Sequence, residues 1–217
     1  MEEEIQFLLS HAARYLTKDP SREDVLSCFA GLRPLVGGGG GDDTASLSRD
    51  HVLHVSSSGL LTITGGKWTT YRKMAEDTVD HGIVLGSMEP RECITKELSI
   101  HGFHSHPERF GELADYGSDA PAVEALLRST PELGDPLHSA LRPRAGEVIW
   151  AVREEMARTV DDVLARRTRS LILNARAAME AAPTVAKLMT RELGRDARWG
   201  AEQVEAFMET AAGYVLA

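Results

Sequence analysis

Hydrophobic residues recur at helical spacing near the start of the chain. Ile5, Leu8, Leu9, Ala12, Tyr15 and Leu16 share one face, so Glu3 to Leu16 reads as a helix ended by Asp19-Pro20-Ser21. The run Val25 to Val36 is rich in β-formers and bounded by turn residues, and it reads as a strand whose pairing Pro34 limits. Five consecutive glycines, Gly37 to Gly41, then form a loop before the pattern resumes. His51 to Val55 and Leu60 to Thr64 read as two strands of a hairpin turned by Ser56-Ser57-Ser58-Gly59. After Gly65-Gly66 the period becomes helical, with Trp68, Tyr71, Ala75 and Val79 on one side.

From about Pro107 onward the strong periodic segments are helical. Glu147 to Ser170 places Val148, Val152, Met156, Val160, Val163 and Leu164 on one stripe of a single predicted helix. Its opposite face carries Glu154–Arg158, Arg158–Asp162 and Asp162–Arg166 at i,i+4, a pattern worth roughly 0.3 kcal/mol per pair. Leu171 to Ala181 continues as helix. Pro183 then suits the first turn of a further helix that Gly194 stops, and a last helix holds Val204, Phe207, Met208, Ala211 and Val215. The predicted fold class is α+β: a part with strands and helices over residues 1–90, and an all-helical domain over 91–217, with a connector around Gly86 to Lys96.

Composition narrows the function classes. The chain has 217 residues, 42% of them hydrophobic and 26% charged, as in a soluble globular protein with a sizeable core. A net charge of −9 argues against a nucleic-acid partner, whose binding needs clustered Lys and Arg. The two cysteines, Cys28 and Cys93, form no CxxC pair and suggest a reducing compartment. The start, MEEEIQFLLSHAARY, is acidic and amphipathic, unlike a basic-then-apolar signal peptide. A cytoplasmic location is therefore expected, with peripheral contact at the cytoplasmic membrane left open.

The segment Gly65 to Arg72, GGKWTTYR, carries the strongest chemical signal. Paired glycines at a strand-to-helix joint let backbone N–H groups approach a ligand, and helix N-termini favour anions or electron-rich oxygens. Lys67, Thr69 and Thr70 add a cation and two hydroxyls at the same point. A plain glycine-punctuated turn with a threonine cap is the competing reading. Arg33, between a glycine and a proline, and Arg49, in a loop, have the planar fork that suits phosphate or carboxylate, though solvent exposure or a local salt bridge is the commoner fate. His101, His104 and His106 match no metal-site spacing, so no metal is expected. Arg166-Arg167-Thr168-Arg169 is a basic cluster in an acidic chain, for which carboxylate pairing is the ordinary expectation and phosphate binding the rarer one. No GxGxxG in a strand-turn-helix setting, GxxxxGK[ST], HExxH or GxSxG is present, so the chain holds no self-contained catalytic signature.

GLRPLV at Gly31 to Val36, LSRDHV at Leu47 to Val52 and GGKWTTYRKMAED at Gly65 to Asp77 occur in the order and approximate spacing seen in FAD-dependent glycerol-3-phosphate dehydrogenases. YGSDA at Tyr116 to Ala120, EVIWAVREEMARTVDDVLARRTR at Glu147 to Arg169 and NARAAMEAAPTVAKLM at Asn174 to Met189 resemble the C-terminal domain of the same family. The resemblance covers nearly the whole chain. It implies that residues 1–90 are the C-terminal part of an FAD- and substrate-binding domain without its Rossmann portion, so the chain looks like a C-terminal fragment inactive by itself.

The implied reaction is oxidation of sn-glycerol 3-phosphate to dihydroxyacetone phosphate, with hydride transfer to FAD and electrons passing to a quinone. By that resemblance Arg33, and after it Arg49, bind the substrate phosphate. Gly65, Gly66, Lys67, Thr69 and Thr70 face the flavin and stabilise its reduced form. The group that removes the C2 hydroxyl proton is not assigned. A homodimer is compatible with the helical domain. Two rival readings remain: a stand-alone helical interaction or regulatory module without catalysis, and a flavin oxidoreductase acting on an amine or another hydroxy acid.

Overall fold

The computed structural model describes residues 2–32 and 50–216. Contacts divide the chain into two units, Met1–Ala30 with Gly102–Ala217, and Gly31–His101.

The first unit is helical. It contains α1 (Glu2–Ala13), short 3₁₀ turns over Pro107–Asp119 broken at Gly111 and Gly117, α3 (Ala120–Ser129), α4 (Pro131–Gly134), α5 (Ala145–Arg153), α6 (Ser170–Leu173), α7 (Ala175–Glu192) and α8 (Ala197–Ala212). Helix α7 lies at its centre, against α5, α6 and α8. Its buried face is almost all alanine: Ala175, Ala178, Ala182 and Ala186, with Val185 and Met189. Short side chains let neighbouring backbones approach closely, so the core is filled from outside by Val148, Val152, Leu171 and Phe207. Both ends of α7 are closed locally. The Asn174 side chain accepts the Ala177 N–H at 3.1 Å. At the other end Gly194, at φ 63°, permits the bond from Arg195 N–H to Thr190 O at 2.9 Å that completes a Schellman stop.

Three expectations in this unit change. Pro183 lies in the middle of α7, because Asn174 is the stronger start signal and the alanine run carries the helix through the one N–H that proline lacks. The single helix predicted over Glu147 to Ser170 is broken. Helix α5 ends at Arg153, Met156 turns through φ 55°, and a wide π turn occupies Asp162–Arg167. The break is set by a capping box: Thr159 Oγ1 accepts from Asp162 N–H at 3.1 Å, while the Asp162 carboxylate accepts from Thr159 N–H at 3.0 Å. Of the three expected ion pairs only Asp162–Arg166 forms, at 3.2 Å, and Arg158 instead donates to the carbonyls of Val152 and Ala157.

Val25 to Leu32 is not a strand, and Arg33 to Val36 lie outside the described residues. Its backbone is spent on single bonds to helix ends. Cys28 N–H donates to Tyr214 O at 2.8 Å, Leu26 O accepts from Ala175 N–H at 3.0 Å, and Ser27 Oγ donates to Leu171 O at 2.9 Å. These bonds group the first thirty residues with the helical unit, whereas the division expected near residue 90 placed them with the strands.

The second unit is a two-stranded antiparallel ribbon, β1 (His51–Val55) and β2 (Leu61–Gly65), followed by α2 (Tyr71–Leu85). The register pairs His51 with Gly65 and Val55 with Leu61. Gly59, at φ 84°, makes the turn, and Ser56 N–H donates to Leu60 O at 2.9 Å. Among its described residues no side chain is buried. The predicted apolar face of α2 is on the surface, with Trp68 at 87% and Val79 at 60% exposure. One ribbon and one helix offer too little area to bury each other.

Two substitutions test the helical unit. Gly111 and Gly117 share a conformation near φ 55°, ψ −120°, but only at Gly117 does an added Cβ meet backbone, the Gly102 carbonyl oxygen at 1.8 Å. Gly111→Ala should cost about 1–3 kcal/mol in urea unfolding for conformation alone. Gly117→Ala should cost clearly more, and equal losses would contradict the close contact. Thr159→Ala, which opens the capping box, should cost about 1 kcal/mol in the same assay.

Candidate functional site

Strand β2 ends at Gly65, and there two successive residues, Gly65 at φ 79° and Gly66 at φ 75°, take a conformation that side-chain-bearing residues avoid. A Cβ at Gly66 would lie 2.4 Å from Met74 Sδ, so the absent side chain also seats the first turns of α2 against the loop. The chain does not enter the α-helix directly, as the sequence pattern suggests. Lys67 is extended, and a single 3₁₀ turn, Trp68–Thr70, comes first. Thr70 holds that turn: its Oγ1 accepts from Lys67 N–H at 3.0 Å and donates to Lys67 O at 2.9 Å.

The result is a depression of about 360 Å³ lined by Gly65, Gly66, Lys67, Trp68, Tyr71 and Met74, with Leu32. The rings of Trp68 and Tyr71 stack at a centroid distance of 5.5 Å along one wall. Behind it α2 is tied to β1 through Asp77. His51 Nε2 lies 2.9 Å from Asp77 Oδ2, and Lys73 Nζ lies 2.8 Å from Asp77 Oδ1. The Lys73 hydrogen bond, then that of His51, holds the Asp77 carboxyl below the usual carboxylate range. Arg72 does the same for Glu76 at 2.7 Å and also reaches Thr95 Oγ1 at 3.2 Å.

Gly65, Gly66 and Lys67 all line this depression. Thr69 sits in the exposed 3₁₀ turn, and Thr70 shapes the turn with a hydroxyl already committed to Lys67. Arg33 and Arg49 lie outside the described residues. Trp68, Tyr71 and Met74 join the wall without having been singled out as site residues. Their i, i+3 spacing carried the signal, but it reads equally as a helix face turned to a core. Chemically, the arrangement offers bare backbone and one cation beside a flat aromatic wall, which suits a planar, electron-rich group. Among the described residues no helix is long and apolar enough to cross a membrane.

A family model described as the C-terminal domain of alpha-glycerophosphate oxidase matches residues 34–199. The chain is 38% identical to a Caenorhabditis elegans protein named "Probable glycerol-3-phosphate dehydrogenase, mitochondrial", over 99% of this chain and 32% of the relative. It is 37% identical to the mitochondrial glycerol-3-phosphate dehydrogenase of Mesocricetus auratus, over 99% of this chain and 32% of that protein. With the mitochondrial glycerol-3-phosphate dehydrogenase SDP6 of Arabidopsis thaliana it shares 36% identity, over 88% of this chain and 35% of the relative. The chain spans about a third of the length of the curated relatives it matches. The expected cytoplasmic location is overturned, since these relatives are named as mitochondrial proteins; a reducing compartment inferred from two unpaired cysteines does not separate the two locations. On the match that spans both units, the chain belongs to the family of the C-terminal domain of alpha-glycerophosphate oxidase, and its curated relatives are glycerol-3-phosphate dehydrogenases.

Proposed function

We propose that this chain supplies the flavin-facing and phosphate-facing part of an FAD-dependent glycerol-3-phosphate dehydrogenase. The observation that carries the reading is the Gly65–Gly66 turn: two successive positive φ values expose bare backbone beside Lys67 at the mouth of a depression with an aromatic wall. Bare backbone and a lysine fit the electron-rich edge of a flavin, whose reduced form gains negative charge there. FAD, when bound, would supply the hydride acceptor for C2 of sn-glycerol 3-phosphate, and with loss of the C2 hydroxyl proton to an unassigned base the product would be dihydroxyacetone phosphate.

The chain's own residues divide the remaining work. Gly65 and Gly66 admit the ring close to the backbone, Lys67 and Thr69 offer it a cation and a hydroxyl, and Thr70 keeps Lys67 in place. Arg33 and Arg49 bind the phosphate dianion of the substrate, a task for which a planar guanidinium suits better than a point charge. The same reading has electrons leaving to a quinone, the protein in mitochondria as a homodimer in peripheral contact with a membrane, and no activity from these residues by themselves. An uncovered strand unit and a match to about a third of the relatives' length support that last point.

In the enzyme that carries this segment, Arg33→Ala should raise KM for sn-glycerol 3-phosphate roughly tenfold or more, as loss of a charge-assisted pair implies, with flavin content unchanged. An unaltered KM removes Arg33 from the pocket. Lys67→Met should lower the flavin midpoint potential by about 30 mV, which for a two-electron couple is about 1.4 kcal/mol. A potential that stays the same in spectroelectrochemical titration contradicts the role given to Lys67.

A further inference from the structure

The helical unit holds a cavity of about 910 Å³ that the dehydrogenase reading does not use. Its walls come from three stretches, Glu112 to Tyr116, Ala140 to Arg144, and Arg166 to Asn174, together with Leu26, Glu147 and Glu155. The size falls in the upper part of the range for small-ligand sites, roughly 300–1,000 Å³.

Five arginines line it: Arg142, Arg144, Arg166, Arg167 and Arg169. Two of them are neutralised by carboxylates. Arg144 pairs with Glu112 at 2.6 Å, and Arg166 pairs with Asp161 and, at 3.2 Å, with Asp162. The other three are held differently. Arg142 donates to the carbonyl of Glu112 at 2.9 Å, and Arg167 donates through Nε at 3.0 Å and through its NH2 group to the carbonyl of Glu155. A carbonyl satisfies an N–H and fixes the guanidinium without cancelling its charge. Arg169 has only a loose approach to Asp115, at 3.8 Å, with both side chains largely exposed.

The walls also carry four carboxyl groups, Glu112, Asp115, Glu147 and Glu155, of which Glu112 is taken up by Arg144. Both carboxyl oxygens of the half-buried Glu147 are occupied, one by the Tyr116 hydroxyl at 2.8 Å and one by Arg144 N–H at 2.8 Å. Burial pushes the Glu147 carboxyl up, and pushes Glu155 up against the pull of Arg167. Position is also enforced. Arg169 is held at φ 55° between Thr168, whose hydroxyl donates to Val163 O at 2.9 Å, and the buried Ser170. A non-glycine residue in that region is a strained one. The loop that carries Arg142 is closed by Leu137 N–H to Pro143 O at 3.0 Å and Ala145 N–H to Asp135 O at 2.9 Å.

We propose that this cavity binds a phosphate ester through Arg142, Arg167 and Arg169. The planar donors match phosphate oxygens, and Leu26, Leu113, Leu141 and Ile172 offer apolar wall for the organic body of such a ligand. With a chain charge of −9 the general surface repels anions, so binding there depends on these local charges. The lining of the cavity lies within the helical unit, and the glycine turn belongs to the other.

The test is calorimetric titration of the 217-residue chain with two probes, ADP as a soluble phosphate ester and dihexanoyl phosphatidate, below its micellar concentration, as a lipid one. At least one should saturate with a Kd below about 1 mM. The tighter probe identifies the source of the ligand. Arg142→Gln and Arg169→Asn should each weaken binding fivefold or more; asparagine tolerates the left-handed conformation that position 169 requires. Arg198→Gln, on α8 and paired with Glu202 away from the cavity, should leave it unchanged. Failure of both probes to bind, or an equal loss from Arg198→Gln, overturns the proposal. Thermal unfolding of each variant separates lost binding from lost fold, and where a variant unfolds the unsubstituted chain decides by itself.

Discussion

The constraint on which the helical unit depends is the alanine face of α7. Ala175, Ala178, Ala182 and Ala186 leave room for neighbouring helices to approach, and Gly200 on α8 meets the same helix closely, where a Cβ would lie 2.9 Å from Thr190 Oγ1. Larger side chains on that face would force backbones apart and cost about 1–3 kcal/mol each by overpacking. Because α7 sits between α5, α6 and α8, its fixed ends at Asn174 and Gly194 also fix where the flanking loops begin. Asn174 closes one wall of the arginine cavity, so the packing of α7 and the shape of that cavity are linked through one capping residue.

The strand unit is built on the opposite principle. Its described residues bury no side chain, and its order comes from a hairpin register, the Met74 contact at Gly66 and the contacts that Asp77 makes with His51 and Lys73. The Lys73–Asp77 ion pair, with Lys73 half exposed, contributes little. Trp68 and Tyr71 are therefore held out to solvent beside the glycine turn rather than drawn into a core. That is unfavourable for a finished surface and consistent with one that is covered by further protein or cofactor, as the dehydrogenase reading requires.

Much of this was legible from residue order. The two short runs His51 to Val55 and Leu60 to Thr64, with the Ser-Ser-Ser-Gly turn between them, located the hairpin to within a residue. The glycine turn and Lys67 were legible for a different reason: chemistry-bearing residues sat where packing had no use for them. The misreadings share one cause, which is that local polar bonds outrank apolar periodicity. The Thr159–Asp162 box cut a helix that its stripe of valines had suggested was continuous, and the threonine–aspartate spacing was the available signal. Val25 to Leu32 had strand composition but gave its backbone to α7 and to Tyr214, partners too distant in sequence to be anticipated. Arg166, Arg167 and Arg169 were visible as a cluster, but that Arg167 meets a carbonyl while Arg166 meets carboxylates depends on a π turn and a left-handed Arg169.

The central claim is that one unit carries the stability of this chain while the other, which bears the glycine turn, buries no side chain among its described residues. Amide hydrogen exchange on the 217-residue chain tests it most directly. The account predicts that amides of α5, α7 and α8 exchange only through global unfolding, while those of β1, β2 and α2 exchange orders of magnitude faster through local opening. Equal protection in β2 and α7 would contradict it.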